Sequence, residues 1–293
     1  MGSGSFTSAS YASYSTSVGK AYCSTTGRVS GQEFTSRRLD ESLDPKKFKL
    51  RECANSEEHP NTIPVILALD VTGSMGSACK ETAEALGVII TNLYKKFDDI
   101  EFCVMGIGDL DYDHAPIQMG QFESDVRIAK DLDKIYMEHG GGGNAFESYT
   151  AAWYMGLKRT KLDAFDKQGR KGIIITMGDE PLNPYLPKNE LNAYAGASEQ
   201  GNVETKDLYE EAKKKFDIFH IAVDSPDDSY SYYAERIKES FGKLLGQNFM
   251  VSTINDLAKA IEDCISKSVE SGRGLILEGV GANTVNEKGE IEW

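Results

Sequence analysis

Residues 68–76 read ALDVTGSMG: Asp70 closes an apolar run, and two hydroxyls, Thr72 and Ser74, follow at alternate positions. In an extended turn alternate side chains leave the backbone on the same side, so one carboxylate and two neutral oxygens can converge on a point. Gly73 permits a tight bend, and a helix beginning just beyond would aim its unpaired N–H groups at the same spot. Two further stretches have related chemistry. Asp179 directly follows the apolar run IIITMG, in GDEPLNP, where Pro181 and Pro184 stiffen the exit. HGGGGNAFES (139–148) is glycine-rich backbone leading to Asn144, Glu147 and Ser148. The side chains gathered are all oxygen bearers, and no Cys or His joins them. Such a set suits a hard cation such as Mg²⁺, which prefers six oxygens at about 2.1 Å and keeps several waters, with Mn²⁺ or Ca²⁺ as alternatives.

Those loops need a scaffold, and hydrophobic periodicity supplies one. Ile63 to Leu69 form a continuous apolar run, as expected of a strand covered on both faces. Cys79, Ala83, Leu86, Ile89, Ile90, Leu93 and Phe97 then recur at three- and four-residue spacing, which marks an amphipathic helix. The alternation continues with strands at 100–108 and 116–122, a helix at 124–137 capped by Ser124, and a helix at about 145–161. A strand at 172–178, helices near 188–194 and 204–215, and a strand at 217–223 come next. A helix at about 230–243, a short strand at 248–251 and a helix at 254–269 complete the pattern. This is the signature of an α/β fold, a doubly wound and mostly parallel sheet with helices on both faces. In open sheets of this kind ligands sit beyond the carboxyl ends of the strands, at the switch point, which singles out loops 70–76, 139–148 and 178–184.

Composition bounds the function. The chain has 293 residues, 40% of them apolar, enough for one sizeable core. We divide it into a Ser/Thr-rich amino-terminal arm (1–61), an α/β domain (62–270) and a tail (271–293) that could form a hairpin around Lys288 and Gly289. The net charge is −14, of which residues 1–38 carry +3 and the remainder −17, a balance that argues against nucleic acid or an anionic membrane as partner. The arm has too little apolar surface for a core of its own, so it is expected to be disordered or ordered on a neighbour, and Phe6, Tyr11, Tyr14 and Tyr22 favour the latter. No run spans a bilayer and no export pattern opens the chain, so a cytoplasmic location is expected. Five cysteines without a CxxC pair read as reduced, mostly structural thiols.

Competing motifs fail on chemistry. Asp109, Asp111 and Asp113 resemble the start of an EF-hand loop, but His114 and Gly120 stand where it needs Gly and Glu, so DLDYD reads as an acidic rim or turn. Gly140–Gly143 lack the Gly-Lys-Ser/Thr of a phosphate cradle. An aspartyl nucleophile at Asp70 would need a second acid where Thr72 stands. TGSMG is one residue short of a serine-hydrolase elbow, with Thr72 in place of the first glycine and no histidine in a suitable late loop. Of the four histidines, His220 falls inside a strand and reads as a core residue.

Asp70-Val71-Thr72-Gly73-Ser74 resembles the DxSxS or DxTxS motif of the von Willebrand factor type A (VWA) domain, and the likeness extends over roughly residues 62–270. The resemblance implies a Rossmann-like sheet with one short antiparallel edge strand and a metal-ion-dependent adhesion site. In such a site Thr72 and Ser74 would bind Mg²⁺ directly, while Asp70 and Asp179 would accept hydrogen bonds from its waters. The family's separate threonine is absent from GGGGNAFES, so Asn144, Glu147 or Ser148 would take its place. Neutral direct ligands leave the ion under-neutralised, which implies a protein-binding module completed by a partner's carboxylate rather than an enzyme. Family-level partners are AAA+ ATPases or other complex subunits. Direct ligation by Glu147 would instead make the metal mainly structural and the chain an assembly subunit.

Overall fold

The computed structural model describes residues 4–31, 34–97, 99–138, 144, 146–224 and 230–280, with side chains to residue 272. The tetraglycine at 140–143 and the tail hairpin expected around Lys288 lie outside the described residues. Six strands form the central sheet: β1 (Ile63–Asp70), β2 (Ile100–Ile107), β3 (Ile117–Met119), β4 (Gly172–Gly178), β5 (Phe216–Asp224) and β6 (Phe249–Thr253). Their spatial order is β6-β5-β4-β1-β2-β3. All neighbours are parallel except β3, which pairs antiparallel with β2 at the edge. β1, β2 and β4 are buried along their whole length, which is why they read as mostly apolar runs rather than as alternation, broken only by Glu101 in β2, Thr176 in β4 and the closing Asp70 of β1.

Eight helices matter here: α1 (Ser8–Ser17), α2 (Gly76–Tyr94), α3 (Arg127–Lys134), α4 (Thr150–Arg159), α5 (Lys188–Ala195), α6 (Thr205–Lys215), α7 (Tyr230–Leu245) and α8 (Leu257–Val280). They divide between two apolar cores. One joins α1, α2, α3 and α8 to the first face of the sheet through Tyr11, Leu86, Ile90, Leu132 and Ile261. The other joins α4, α5, α6 and α7 to the opposite face through Trp153, Leu191, Leu208 and Phe241. The expected α/β class, the parallel sheet and the antiparallel edge strand are all present.

The boundaries differ in three instructive places. Ser124 does not cap α3, because its hydroxyl donates to the Gly4 carbonyl, and Asp125 Oδ1 accepts from Arg127 N at 2.9 Å instead. The helix expected from about 145 begins only at Thr150, and ahead of it Glu147 bridges to Leu182 and the Tyr149 hydroxyl reaches Asp70. The last helix continues past 269 to Val280. Three small sheets carried no periodic signal: Ala21–Tyr22 beside Val29–Ser30, Arg51–Cys53 beside Thr160–Leu162, and Val203–Glu204 beside Tyr185–Leu186. No helix among the described residues is long and apolar enough to cross a membrane, and all five cysteines are free.

The amino-terminal segment is ordered on the chain's own α2 and α3. Thr7 and Ser10 cap α1 reciprocally, and the Tyr11 ring lies where a Cβ on Gly87 would stand, at 2.4 Å, so this close approach requires glycine in α2. Arg28 grips Glu81 with two hydrogen bonds of 2.8 and 2.6 Å, and Lys20 and the Tyr14 hydroxyl both reach Asp133.

His220, on β5, is fully buried, stacked on Phe241 with ring centroids 3.6 Å apart, and burial holds its pKa down at about 3. The unfolded chain takes up this proton near pH 6.5, whereas the folded chain resists it to about pH 3. The contribution of His220 to stability is therefore whole above pH 6.5 and declines as pH falls, by about 1.4 kcal/mol per pH unit within that window. His220→Leu should flatten the acid side of a urea-midpoint profile relative to wild type. Parallel profiles for the two proteins would contradict this account.

Candidate metal centre

The register of the sheet brings the chemistry together. Leu69 of β1 pairs with Met177 of β4, so Asp70 at the end of β1 and Asp179 just past the end of β4 emerge side by side. β1 runs on one side to β2 and β3 and on the other to β4 and β5, which makes this the switch point of the sheet. Gly73–Met75 form a single 3₁₀ turn that leads directly into α2.

Asp70 is fully buried and accepts three hydrogen bonds. Oδ1 receives the backbone N–H of Thr72 at 3.0 Å and its hydroxyl at 2.6 Å, and Oδ2 receives the Tyr149 hydroxyl at 2.7 Å. Ser74 donates to Asp179 Oδ1 at 3.2 Å, which links the first and third loops. Thr72 is buried and Ser74 partly exposed, so the cluster meets solvent on the Gly73–Ser74 side. Both hydroxyl oxygens retain acceptor lone pairs after donating their protons.

The second loop divides its three candidates. Ser148 Oγ accepts from Leu110 N at 3.0 Å, while Asn144 Oδ1 accepts from Phe146 N at 3.1 Å and the Asn144 side chain also hydrogen-bonds the Asp109 carboxylate. Glu147 is the one whose charge acts on Asp70. It is 3% exposed, it bridges to Leu182 of the third loop, and its Oε2 has no hydrogen-bond partner among the described residues.

Two residues that sequence reasoning left out complete the arrangement. Tyr149 donates to Asp70 and accepts from Glu180 N at 3.2 Å, tying the start of α4 to both flanking loops. A Cβ on Gly178 would lie 2.0 Å from this hydroxyl, so the absence of a side chain there makes room for it. Asp109 closes a turn in which Asp113 Oδ2 accepts from Asp109 N at 2.7 Å, yet its own Oδ2 is buried without a partner among the described residues. DLDYD is thus a turn, as expected, but one that places a desolvated carboxyl beside Glu147. Only its position after an apolar strand could have signalled that.

The electrostatics follow from crowding. Burial first, and the Asp179 charge second, push the Asp70 carboxyl up. Burial and then Asp70 and Glu180 do the same to Glu147. Burial raises Glu180 to about 7 and Asp113 to about 6. Desolvated carboxyls this close favour either protons or a shared cation. No three His, Cys, Asp or Glu side chains form a ligand cluster among the described residues. The donor set is of another kind, hydroxyls beside carboxylates, with a buried oxygen at Glu147 that has no partner among the described residues, and it fits a hard divalent ion.

No protein-family model and no curated protein matches the chain. Among solved structures it is similar to the pilus adhesin SpaC from Lactobacillus rhamnosus GG in its open conformation, with TM-score 0.51 and 11% identity over 74% of this chain and 31% of that one. It is also similar to the vWF domain of the type V pili tip protein Mfa5 from Porphyromonas gingivalis, with TM-score 0.42 and 12% identity over 72% and 96% of the two chains. A third is the conserved hypothetical protein BatB from Bacteroides thetaiotaomicron, with TM-score 0.42 and 15% identity over 71% and 99%. The chain spans about a third of the length of SpaC. At such identities the likeness is one of fold, and the topology is the Rossmann-like, VWA-like one that the DVTGS resemblance implied.

Replacing Tyr149 by Phe strands the fully buried Asp70 Oδ2 and removes the acceptor of the half-buried Glu180 N–H. The expected cost is about 1–3 kcal/mol in urea unfolding without added metal, and an unchanged midpoint would show that the hydroxyl holds nothing.

Proposed function

We propose that this chain is a metal-dependent protein-binding module. The observation that carries the reading is the meeting of Asp70, Thr72, Ser74 and Asp179 at the switch point, with a buried carboxyl oxygen of Glu147 beside them that has no partner among the described residues. When bound there, Mg²⁺ supplies a hard positive centre to which a carboxylate from outside can add. Thr72 and Ser74 would offer it hydroxyl oxygens, and Asp70 and Asp179 would hold its waters. Tyr149 keeps the Asp70 carboxylate turned toward Thr72, and the exposed Gly73–Ser74 edge is the side from which a partner's acidic residue would arrive.

The role is recognition, not turnover. Ser74 has Asp179 as its hydrogen-bond partner, while His220 lies in the core against Thr176 and Phe241, and His59 is paired with Asp99, so neither imidazole serves the serine as a base. SpaC is a pilus adhesin, which accords with binding as a use of this fold. A second reading rests on Glu147: if its carboxylate neutralises the ion, the metal is mainly structural and the chain serves as a subunit of an assembly, of which an AAA+ ATPase could be part.

Millimolar Mg²⁺ should raise the melting temperature of the wild type and leave Asp70→Ala and Ser74→Ala unmoved, since an ion that binds only the folded state stabilises it by mass action. Partner capture from extract should likewise need Mg²⁺ and both side chains. Equal capture in EDTA and in Mg²⁺ would refute the adhesion reading. Loss of assembly on deleting residues 1–38, with Mg²⁺ still bound, would favour the structural one.

A further inference from the structure

The two edges of the central sheet are finished differently. At one edge β3 is covered by its own chain: Met119 N donates to the Leu43 carbonyl at 2.9 Å, and the Met119 carbonyl accepts from the Arg51 guanidinium at 2.8 Å. At the other edge β6 pairs with β5 alone, in an unbroken parallel register from Phe249 to Thr253. Alternate residues of such a strand turn N–H and C=O outward, and no other backbone segment reaches them among the described residues. The usual guards of an edge are missing as well, since FMVST contains no charge, no proline and no bulge. Val251, at its centre, is 41% exposed.

The pleat decides which way the side chains stand. Phe249 packs against the core that contains Phe241 of α7, and Met250 against the core on the opposite face. Val251 therefore stands on the α7 side of the sheet. α7 has two exposed flanks. One, with Arg236, Glu239 and Lys243, lines a cavity toward the third loop and α6. The other carries Ser231, Glu235, Lys238 and Gly242, which follow one another at four- and three-residue spacing. A Cβ on Gly242 would lie 3.9 Å from Phe249 Cδ1, so this second flank overlooks β6. Glu235 and Lys238 make no ion pair with another described residue, whereas Lys243 on the far flank holds Glu239.

From this we infer that β6 is a self-association surface: two copies of the chain pair their β6 strands antiparallel about a two-fold axis through Val251, which joins the two central sheets into one. An axis perpendicular to the sheet sets α7 antiparallel to α7 of the second copy on the same face. Residues that face each other across it have a constant sum of numbers. The register that puts Glu235 against Lys238 of the second copy therefore also puts Ser231 against Gly242, the two smallest residues of the flank. The symmetry forms each contact twice, and the small residues let the helices approach. A foreign strand would use the β6 backbone and leave these two charges unmatched, which selects a second copy as the occupant. The inference is independent of the metal centre, which lies at the ends of β1 and β4.

Sedimentation velocity of the full chain should show a concentration-dependent dimer in Mg²⁺ and in EDTA alike. Val251→Lys, at an exposed position, should yield a monomer with the far-UV circular dichroism of the wild type. Glu235→Lys or Lys238→Glu alone should weaken association at least about tenfold, and the two together should restore it, since the exchange leaves the pairs between copies intact. Val251→Cys on a Cys23→Ser background should form a disulfide-linked dimer on mild oxidation, because a residue on the axis faces its own copy and the other four cysteines are buried. A wild type that stays monomeric up to about 100 μM, a dimer unmoved by Val251→Lys, or charge exchanges that add instead of compensating would overturn the inference. A dimer lost in EDTA would also overturn it and move the contact to the metal centre.

Discussion

A carboxyl group with no solvent exposure terminates the central strand, and its satisfaction organises the functional end of the molecule. Asp70 is stabilised by donors from two directions: the Thr72 amide and hydroxyl within its own turn, and the Tyr149 hydroxyl from the segment ahead of α4. The second donor is non-local. It requires Gly178 at the tip of β4 to lack a side chain, and it requires the segment 146–149 to stay out of the helix so that Tyr149 can enter between the loops. Burying a carboxyl without such donors costs several kcal/mol, so the positions of three loops are coupled to the state of one side chain.

The same end of the sheet concentrates negative charge. Asp70, Asp109, Asp113, Glu147, Asp179 and Glu180 all emerge there, and four of them are almost fully buried with raised pKa values. A core that only needed to fold would have placed apolar residues at these positions. The arrangement is costly for an isolated chain and becomes favourable when a cation is shared, which is the physical basis of the proposed binding role.

Away from this end, the amino-terminal segment acts as an extra layer over α2 and α3. Tyr11 and Phe6 join the same apolar core as the helix beneath them, and Arg28 and Lys20 fasten the layer to Glu81 and Asp133. The positive charge of residues 1–38 is thus used in part on the chain's own acidic helices. A segment without enough apolar surface for a core can still be ordered by a neighbouring one, and here that neighbour is α2 and α3 of the same chain.

Local pattern determined a good deal. A continuous apolar run marked β1, shorter mostly apolar stretches marked β2, β4 and β5, three- and four-residue spacing marked α2 and α8, and Asp70, Thr72 and Ser74 were legible because they lie within one short turn. Asp179 was legible for a related reason, since it too directly ends an apolar strand. What the tertiary structure alone decided depends on long-range register: that Asp70 and Asp179 lie side by side, that Tyr149 rather than a helix occupies the second loop, that Asp109 and Glu147 are desolvated, and that Ser124 serves the arm and not α3. None of these leaves a periodic trace, because each joins residues dozens of positions apart whose types satisfy local rules equally well without the pairing. Sequence spacing reports which face of an element is apolar, whereas the partner of a buried polar atom is chosen only when the elements pack.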